Sequence, residues 1–284
     1  DAMMKKLSLP PCDLGEGPLW HEETQEFVFA DITKGRLFAA APSGEVRLLL
    51  QTDWQLGAFL FDTAGDLILF TEKGVFSMPY GGAPAACRLL WKIPMQAGER
   101  FNDAICDPAG RMLAGTKTEE NRDGSLWLFA KDQPPKRLLQ GLQISNGMGF
   151  TENGTVFYHT DSGKRTIYRY RYNTAQGSFA DPQPFFTLQN PDDAVPDGMT
   201  VDSCGQVWTA CWGGSCLRCL DANGRETAKI PLPAAQVSSL TFGGPDLQQM
   251  LVTSAACGCP GANEGGIWIF DAQVPGAAEY RAIF

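Results

Sequence analysis

One two-part pattern recurs six times along the 284 residues of this chain. In each copy a short turn leads into an apolar segment, and an aromatic-rich segment follows. The apolar segments are residues 26–29, 67–70, 111–114, 155–158, 206–209 and 249–252. The aromatic-rich segments are residues 36–38, 75–77, 125–128, 166–169, 216–218 and 266–269. Copies that repeat every roughly 40–50 residues have the length of a four-stranded propeller blade. The sequence therefore predicts an all-β protein with the fold of a six-bladed β-propeller.

A propeller of this length accounts for the whole chain as one domain, residues 1–284. No linker or low-complexity segment interrupts the repeats, and 44% hydrophobic residues can form a large core. We expect the two ends of the chain to share the closing blade, with residues 6–9 pairing with the C-terminal segment that ends at residues 279–282. Loops from all blades surround one axial channel, so distant residues can form one site. Residues 1 and 2, Asp-Ala before a methionine, are interpreted as a cloning scar.

Charge and apolar content exclude several classes of partner. The formal net charge is −9, the sequence pI is about 4.8, and the basic residues do not cluster. Such a chain repels the phosphate backbone of a nucleic acid. No apolar run has the length of a membrane span, and the first residues lack the apolar core of a signal peptide. We therefore expect a cytoplasmic protein, a monomer or weak homo-oligomer, without nucleic acid or membrane as a partner.

Nine cysteines leave at least one thiol unpaired within the chain. Without a predicted secretory segment, reduced thiols are the simpler expectation. Cys216 and Cys219 lie in one predicted strand, where residues i and i+3 point to opposite faces and share a ligand poorly. A zinc site built from this pair, or from Cys257 and Cys259, is therefore disfavoured. The cysteines are interpreted as small apolar residues.

Four short polar stretches precede predicted strands of different blades, close to the expected channel. They contain Glu16, Asn102, Asn146 and Asp197, each in a predicted turn. Two carboxylates and two amide oxygens form a set that suits a hard divalent cation. Asn-Gly and Asp-Gly are also ordinary turn dipeptides. Taken one at a time, each residue is better explained as a turn former, so spacing alone leaves a metal site and a structural role both open.

In their order and spacing, these motifs resemble the signature of the regucalcin (senescence-marker protein)/gluconolactonase family. The matching stretches are residues 15–20, 29–32, 100–103, 107–111, 114–116, 145–147, 196–202, 208 and 242–246. The resemblance spans nearly the whole chain and implies a six-bladed propeller, in agreement with the repeat. The chain departs from the usual pattern at Ala104, where many members have glycine, and at Lys117, where a neutral residue is common. Both departures concern substrate preference more than metal binding.

The resemblance also implies roles for individual residues. The implied ligands of one divalent metal in the channel are Glu16, Asn146 and Asp197. Asn102 would lie beside this metal, either as a further ligand or through substrate or water. Arg100 and Glu120 would contact sugar hydroxyls, with Glu119 as the alternative to Glu120.

The activity that follows from the resemblance is hydrolysis of a sugar (aldono-)lactone. A cation with open positions polarises the lactone carbonyl and stabilises the oxyanion, and Asp197 takes the proton of the attacking water. Calcium is the first expectation for the ion, and zinc, manganese, magnesium and iron(II) are alternatives. The competing functions are a phosphotriesterase or other lactonase on the same metal site, a calcium-binding regulatory protein without turnover, and an interaction platform. The sequence lacks the Gly-x-Ser-x-Gly motif of many serine hydrolases.

Four further polar residues are interpreted as structural. His159 is expected to be a packed or hydrogen-bonded strand residue, and His21 an exposed residue at a turn. Asp31 and Asp161 occupy equivalent places in their blades, so we expect their side chains to fix turns.

Overall fold

The computed structural model describes residues 3–151, 153–189 and 194–284. The interpretation of residues 1 and 2 as a cloning scar lies outside these residues. The described chain forms six antiparallel sheets of four strands each. The first strands of neighbouring sheets contact one another in a closed ring, which confirms the predicted all-β, six-bladed propeller.

The first three blades follow the N-terminal strand β1 (Lys5–Lys6). The first blade contains β2 (Gly15–His21), β3 (Glu26–Asp31), β4 (Arg36–Ala40) and β5 (Val46–Gln51). The second contains β6 (Leu56–Phe61), β7 (Leu67–Thr71), β8 (Gly74–Met78) and β9 (Arg88–Trp91), with a 3-10 helix at Pro84–Ala86. The third contains β10 (Arg100–Cys106), β11 (Met112–Lys117), β12 (Gly124–Phe129) and β13 (Lys136–Leu142).

The last three blades repeat this arrangement. The fourth contains β14 (Ser145–Phe150), β15 (Val156–Asp161), β16 (Thr166–Asn173) and β17 (Ser178–Thr187), with a 3-10 helix at Ser162–Lys164. The fifth contains β18 (Val195–Val201), β19 (Val207–Trp212), β20 (Cys216–Leu220) and β21 (Glu226–Pro231). The sixth contains β22 (Val237–Gly243), β23 (Gln249–Ser254), β24 (Trp268–Asp271) and β1, with a 3-10 helix at Pro245–Leu247. Each predicted apolar segment overlaps the second strand of a blade, and each aromatic-rich segment overlaps the third.

The ring closes through the sixth blade, which both ends of the chain share. Strand β1 pairs antiparallel with β24, with Lys6 opposite Trp268. The predicted shared blade is therefore confirmed. The last residues follow another path, since the N–H of Ala282 donates to the carbonyl of Phe61 in the second blade at 3.0 Å. The expectation that residues 279–282 belong to the pairing of the closing blade is wrong, because the partner strand ends before them.

The core lies between the sheets, because neighbouring sheets pack face to face around the ring. The innermost strands β6 and β14 are buried along their whole length, whereas the outer strands β13 and β21 are largely exposed. Between the first and second blades, Leu37, Phe59 and Phe61 belong to one apolar cluster. Such burial contributes about 25 cal/mol per Å² of apolar surface, and it holds the innermost strands in place around the channel.

Within the described part of the chain, no helix combines the length and the apolar character that crossing a bilayer requires.

Candidate active site

The four polar residues predicted to face the channel lie near the start of four innermost strands. Glu16 and Asn146 are the second residues of β2 and β14, and Asn102 and Asp197 are the third residues of β10 and β18. Each lies at an irregularity in the pairing with the second strand of its blade. A bulge bends its strand and redirects a side chain. The residues were expected in turns before the strands, and that expectation is wrong: irregular strand starts position them.

These strand starts line one cavity of about 280 Å³. The predicted site residues that line it are Glu16, Arg100, Asn102, Asn146 and Asp197. The other lining residues are Leu14, Lys117, Ile144, Ser162, Val195, Trp212 and Cys257. Residues of the first, third, fourth, fifth and sixth blades thus meet at one end of the channel.

The structure does not bring Glu120 to this cavity. Glu120 lies in the loop between β11 and β12, its side chain is 66% exposed, and it forms an ion pair with Arg122. Glu119 is also exposed and lies beside Gly98. Neither carboxylate lines the cavity in this conformation. A sugar contact by Glu120 or Glu119 therefore stays a prediction.

Two cavity oxygens, Asn146 Oδ1 and Asp197 Oδ1, are buried and have no hydrogen-bond partner among the described residues. The amide of Asn146 is oriented through its nitrogen, because Nδ2 donates to Ser162 Oγ at 3.1 Å. Ser162 Oγ in turn donates to the carbonyl of Pro196 at 2.6 Å. Buried polar atoms normally have partners. The two oxygens therefore mark a place where an electropositive ligand fits.

The side chains of Glu16 and Asn102 are held by bonds to nearby backbone and side-chain groups. Glu16 Oε2 accepts a hydrogen bond from the N–H of Gly17 at 3.0 Å. Asn102 Nδ2 donates to the carbonyl of Ser145 at 2.9 Å, and its Oδ1 accepts from Arg100 Nη1 at 2.8 Å. The oxygen of Asn102 is thus engaged by Arg100. An amide oxygen has a second lone pair, so both expected roles of Asn102, as a further ligand or as a residue beside the metal, stay predictions.

The carboxylates of the site are electrostatically strained without a counter-ion. Burial raises the pKa of Glu16 well above its usual value, and the charges of Asp197 and Asp103 raise it further. Burial also raises the pKa of Asp197, to about 7. A nearby positive charge has the opposite effect, since it favours the ionised form of an acid. A cation between these carboxylates would therefore stabilise the site.

The donor set fits a divalent cation that prefers oxygen. The carboxylates of Glu16 and Asp197 and the amide oxygen of Asn146 are ligands of the kind that calcium and magnesium take. In residues 3–151, 153–189 and 194–284, no group of three or more His, Cys, Asp or Glu is placed to hold a metal. A metal site here would therefore depend on an amide oxygen in addition to the two acids.

Two aspartates fix the loops that lead into the site, as predicted. Asp31 accepts hydrogen bonds from the N–H groups of residues 13 and 14 at 3.1 and 3.0 Å, directly before β2. Asp161 accepts from the N–H groups of residues 143 and 144 at 3.1 and 2.9 Å, directly before β14. Both carboxylates lie at the end of the second strand of their blades. They hold the start of the first strand, where the site residues are.

Glycines beside the site residues allow the innermost strands to approach one another. A Cβ atom on Gly147 would collide with the carbonyl oxygen of Asp197. A Cβ atom on Gly198 would collide with Ser239 Oγ. In residues 146–147 and 197–198, glycine is therefore required for close strand packing and not for a turn.

The two histidines lie outside the cavity. His159 is buried, its Nε2 lies 2.9 Å from Ser145 Oγ, and burial lowers its pKa to about 4. It is the packed, hydrogen-bonded strand residue that was predicted. His21 is only 2% exposed, stacks on Tyr80 with ring centroids 3.7 Å apart, and bonds the carbonyl of Gly65. The expectation that His21 is exposed is wrong, because the end of β2 packs against the second blade.

All nine cysteines are free thiols in the structure. Cys216 and Cys219 are both buried, and they belong to different apolar clusters. These separate surroundings agree with the expected positions on opposite faces of β20. Cys257 lines the site cavity, a location that its sequence context did not indicate.

Ser162 and Trp212 line the cavity but were not singled out from the sequence. Trp212 is the last residue of β19, and Ser162 directly follows β15. In an antiparallel pair, the end of the second strand lies beside the start of the first. The position within the repeat was therefore the signal that could have identified them. Lys117, the last residue of β11, occupies the same place in the third blade and had been noted only as a departure from the family pattern.

A second cavity, of about 330 Å³, lies at the other end of the innermost strands. Its lining includes Leu19, Met199 and the C-terminal residues 277–281. Several of its polar groups are already paired, as in the hydrogen bond from Thr200 Oγ1 to Glu279 Oε1 at 2.9 Å. None of the unpartnered buried side-chain atoms found in the described chain lines this cavity. The smaller cavity is therefore the candidate active site.

Comparisons with known proteins agree with the propeller fold and show the family of this chain. A family model for the SMP-30/Gluconolactonase/LRE-like region matches residues 14–256. Pentonolactonase XacC of Haloferax volcanii is 34% identical over 284 residues, which cover 95% of each chain. Regucalcin of Gallus gallus is 31% identical over 265 residues, covering 86% of this chain and 84% of the relative. The structure of a calcium-binding regucalcin from Agrobacterium tumefaciens has a TM-score of 0.89 at 22% identity and covers 98% of this chain and 97% of that chain, which shows the shared fold.

Proposed function

This chain belongs to the SMP-30/gluconolactonase/LRE-like family, and from that membership we propose that it hydrolyses a sugar lactone with the help of one divalent cation. The proposed place of reaction is the cavity at the start of the innermost strands. The name of the pentonolactonase relative supports a lactone of a sugar acid as the substrate class.

One observation carries this proposal. Two buried oxygens without partners, on Asn146 and Asp197, meet in a cavity that also contains the carboxylate of Glu16. This combination is costly for a protein unless a cation offsets it. Three protein donors also leave further coordination positions of a divalent cation for water and substrate.

The residues proposed to hold the ion are Glu16, Asn146 and Asp197. When bound, such an ion polarises the lactone carbonyl and stabilises the negative charge that develops on its oxygen. Calcium is proposed first because all three donors are oxygens. Zinc, manganese, magnesium and iron(II) are the alternatives to be compared.

Asp197 is proposed to move the proton. Its Oδ1 is free to accept a hydrogen bond from a water molecule in the cavity. A bound cation favours the ionised form of an acid, so Asp197 would be present as the carboxylate that a general base requires. Asp197 would take a proton from water as the new C–O bond forms, and return it to the ring oxygen as the ester bond breaks. The product is the open-chain hydroxy acid.

Arg100 is proposed to orient the substrate. Its Nη1 donates to the carbonyl of Phe101 at 3.1 Å and to Asn102 Oδ1 at 2.8 Å. The other N–H groups of the guanidinium remain available for hydroxyls of the substrate. We expect Arg100→Ala to impair a polyhydroxylated lactone more than a small unsubstituted one. An equal loss on both would instead make Arg100 a residue that supports the metal site.

The test is proton release from pentono- and hexonolactones, measured with chelator-treated protein to which each ion is restored in turn. We expect hydrolysis above the buffer rate only when an ion is present. Tight calcium binding with no lactone hydrolysis would instead support a calcium-binding protein without turnover. Faster hydrolysis of an apolar phosphotriester than of any sugar lactone would support the phosphotriesterase alternative. The cationic lining residues Arg100 and Lys117 do not favour such a neutral apolar substrate.

A further inference from the structure

Two positively charged side chains enter the candidate active site from directly opposite positions. Arg100, the first residue of β10, pairs with Lys117, the last residue of β11. Opposite residues of an antiparallel pair lie on the same face of the sheet, and both line the cavity. Like charges placed directly opposite each other destabilise a sheet. Repulsion between two such cations is expected to persist in a protein where both bind a negatively charged ligand.

Neither cation forms an ion pair with a described residue, although the charges of Glu16 and Asp197 act on Arg100 and that of Asp197 acts on Lys117. The hydrogen bonds that Arg100 makes go to neutral oxygens, on Phe101 and Asn102. The ammonium of Lys117 forms no hydrogen bond or ion pair with any described residue. Burial lowers the pKa of Lys117 and the charge of Arg100 lowers it further, while the charge of Asp197 acts in the opposite direction. An anion between the two side chains would reverse that effect and remove the repulsion.

The charge of the whole cavity leads to the same conclusion. The carboxylates of Glu16 and Asp197 balance the cations of Arg100 and Lys117. A divalent cation would therefore leave two net positive charges in a partly buried space. A neutral lactone would leave both uncompensated, whereas a lactone with an acidic substituent would offset at least one of them.

We propose that the substrate is a lactone that carries an acidic group, a carboxylate or a phosphate, and that Lys117 and Arg100 bind this group. The inference rests on the proposed lactonase function and narrows its substrate class. Arg100 offers a planar pair of donors and Lys117 a point charge, and both suit either anion. Lys117 is a residue that determines substrate specificity, and the metal and Asp197 remain responsible for the reaction.

The experiment compares three lactones of similar size, one neutral and two acidic. They are D-glucono-1,5-lactone, D-glucaro-1,4-lactone and 6-phospho-D-glucono-1,5-lactone, and the last two distinguish a carboxylate from a phosphate. We expect kcat/KM for at least one acidic lactone to exceed that for the neutral one by about tenfold, the usual effect of one added charge-assisted hydrogen bond. Lys117→Met keeps the length of the side chain and removes the charge. It should lower the ratio of acidic to neutral kcat/KM by about the same factor.

The matched control is Lys136→Met on the exposed strand β13, which should leave that ratio unchanged. Three results separate the claims. If the neutral lactone is hydrolysed as well as both acidic ones, or if Lys117→Met leaves the ratio unchanged, the inference is wrong and the lactonase function stands. If no lactone is hydrolysed at all, the proposed function is wrong.

A measurement without turnover tests the anion contact separately. Isothermal titration of the metal-loaded protein with D-glucarate and D-gluconate compares a dianion with a monoanion of the same carbon chain. Lys117→Met should weaken the binding of D-glucarate more than that of D-gluconate. Equal weakening, or none, would overturn the role of Lys117 in binding the acidic group.

Discussion

The two ends of the central channel are formed by the same six innermost strands, yet their chemistry differs. At the start of the strands, the cavity contains two buried oxygens that lack partners, on Asn146 and Asp197. At the far end, acids are paired within the protein, as in the bonds from Arg281 to Glu23 and from Thr200 to Glu279. Of the two cavities, the one at the irregular strand starts is lined by unpartnered buried side-chain atoms of the described residues, and the far one is not. The cavity at the start of the strands is therefore suited to bind a ligand, whereas the side chains at the far end mainly contact one another.

Asp103 connects the two ends. It follows Asn102 on β10, but it lines the far cavity, because successive residues of a strand point to opposite sides and the local irregularity redirects them. Burial raises the pKa of Asp103 to about 7, as burial does for Asp197. At the near end a cation can offset the buried charge. At the far end the charge of Glu279 also raises the pKa of Asp103.

The largest expected difference between the ends is in catalysis. Asp197→Ala removes a proposed metal ligand and the proposed base together, so lactone hydrolysis should fall by roughly two to three orders of magnitude. Glu23→Gln, at the far end, is the matched control and should keep turnover near that of the unmodified protein. Both are measured by proton release at saturating metal. Near-normal turnover of the Asp197 variant would refute its assigned role.

A smaller effect is expected from the side chain that orients the amide of Asn146. Ser162→Ala removes the acceptor of Asn146 Nδ2, so the amide oxygen is held less firmly. Loss of such an orienting bond typically weakens metal affinity by about 10–100-fold. Calcium titration calorimetry measures this change, with the exposed Ser203→Ala as the control. Unchanged affinity would mean that Asn146 does not need Ser162 to bind the ion.

The far end should respond to pH and not to metal. The folded-state pKa of Asp103 is about 7, above the ordinary 3.8. The stability that the protonated Asp103 contributes is therefore fully present below about pH 4 and is lost as pH rises through 7, where the buried carboxylate is ionised. Asp103→Asn should therefore raise the unfolding free energy at pH 8 by on the order of 1–3 kcal/mol, and give no gain at pH 4. Thermal unfolding of chelated protein at both pH values checks this, with exposed Asp53→Asn as the control. A gain of equal size at both pH values would contradict the titration of Asp103.

The smallest effect on the site is expected from cysteines that lie outside both cavities. Replacing Cys216 and Cys219 with alanine should leave metal content and lactone hydrolysis close to the unmodified protein. The cost should be in stability, about 1–3 kcal/mol, because both thiols are buried. Metal analysis by mass spectrometry and denaturant unfolding separate the two quantities. Loss of one chelator-resistant zinc per chain in this variant would reveal a structural zinc site.

Much of the fold was readable from local pattern. The six copies of an apolar and an aromatic-rich segment predicted the second and third strands of all six blades. The loop-fixing roles of Asp31 and Asp161 followed from their equivalent places in the repeat. Short-range features of this kind are visible in a sequence because each strand and its turn are specified by neighbouring residues.

The sequence predicted which types of residue form the candidate site, but it did not predict where in the strands these residues lie. The oxygen-bearing residues Glu16, Asn146 and Asp197 line one cavity, and their role as metal ligands stays a prediction. Their expected location in turns was wrong, because an irregular pairing register depends on the partner strand and not on the local dipeptide. His21 was misplaced for a similar reason, since the ring of Tyr80 that covers it comes from another blade.

Repeat length, apolar pattern and motif order were sufficient to establish a propeller, its number of blades and the chemical character of its channel. Three-dimensional packing was needed to show which end of the channel keeps unpartnered oxygens, that Glu120 faces solvent, and that Lys117 stands opposite Arg100. The physical reason is register. A shift of one residue in a strand turns each side chain to the other face, and that register is set by contacts between segments that are far apart along the chain.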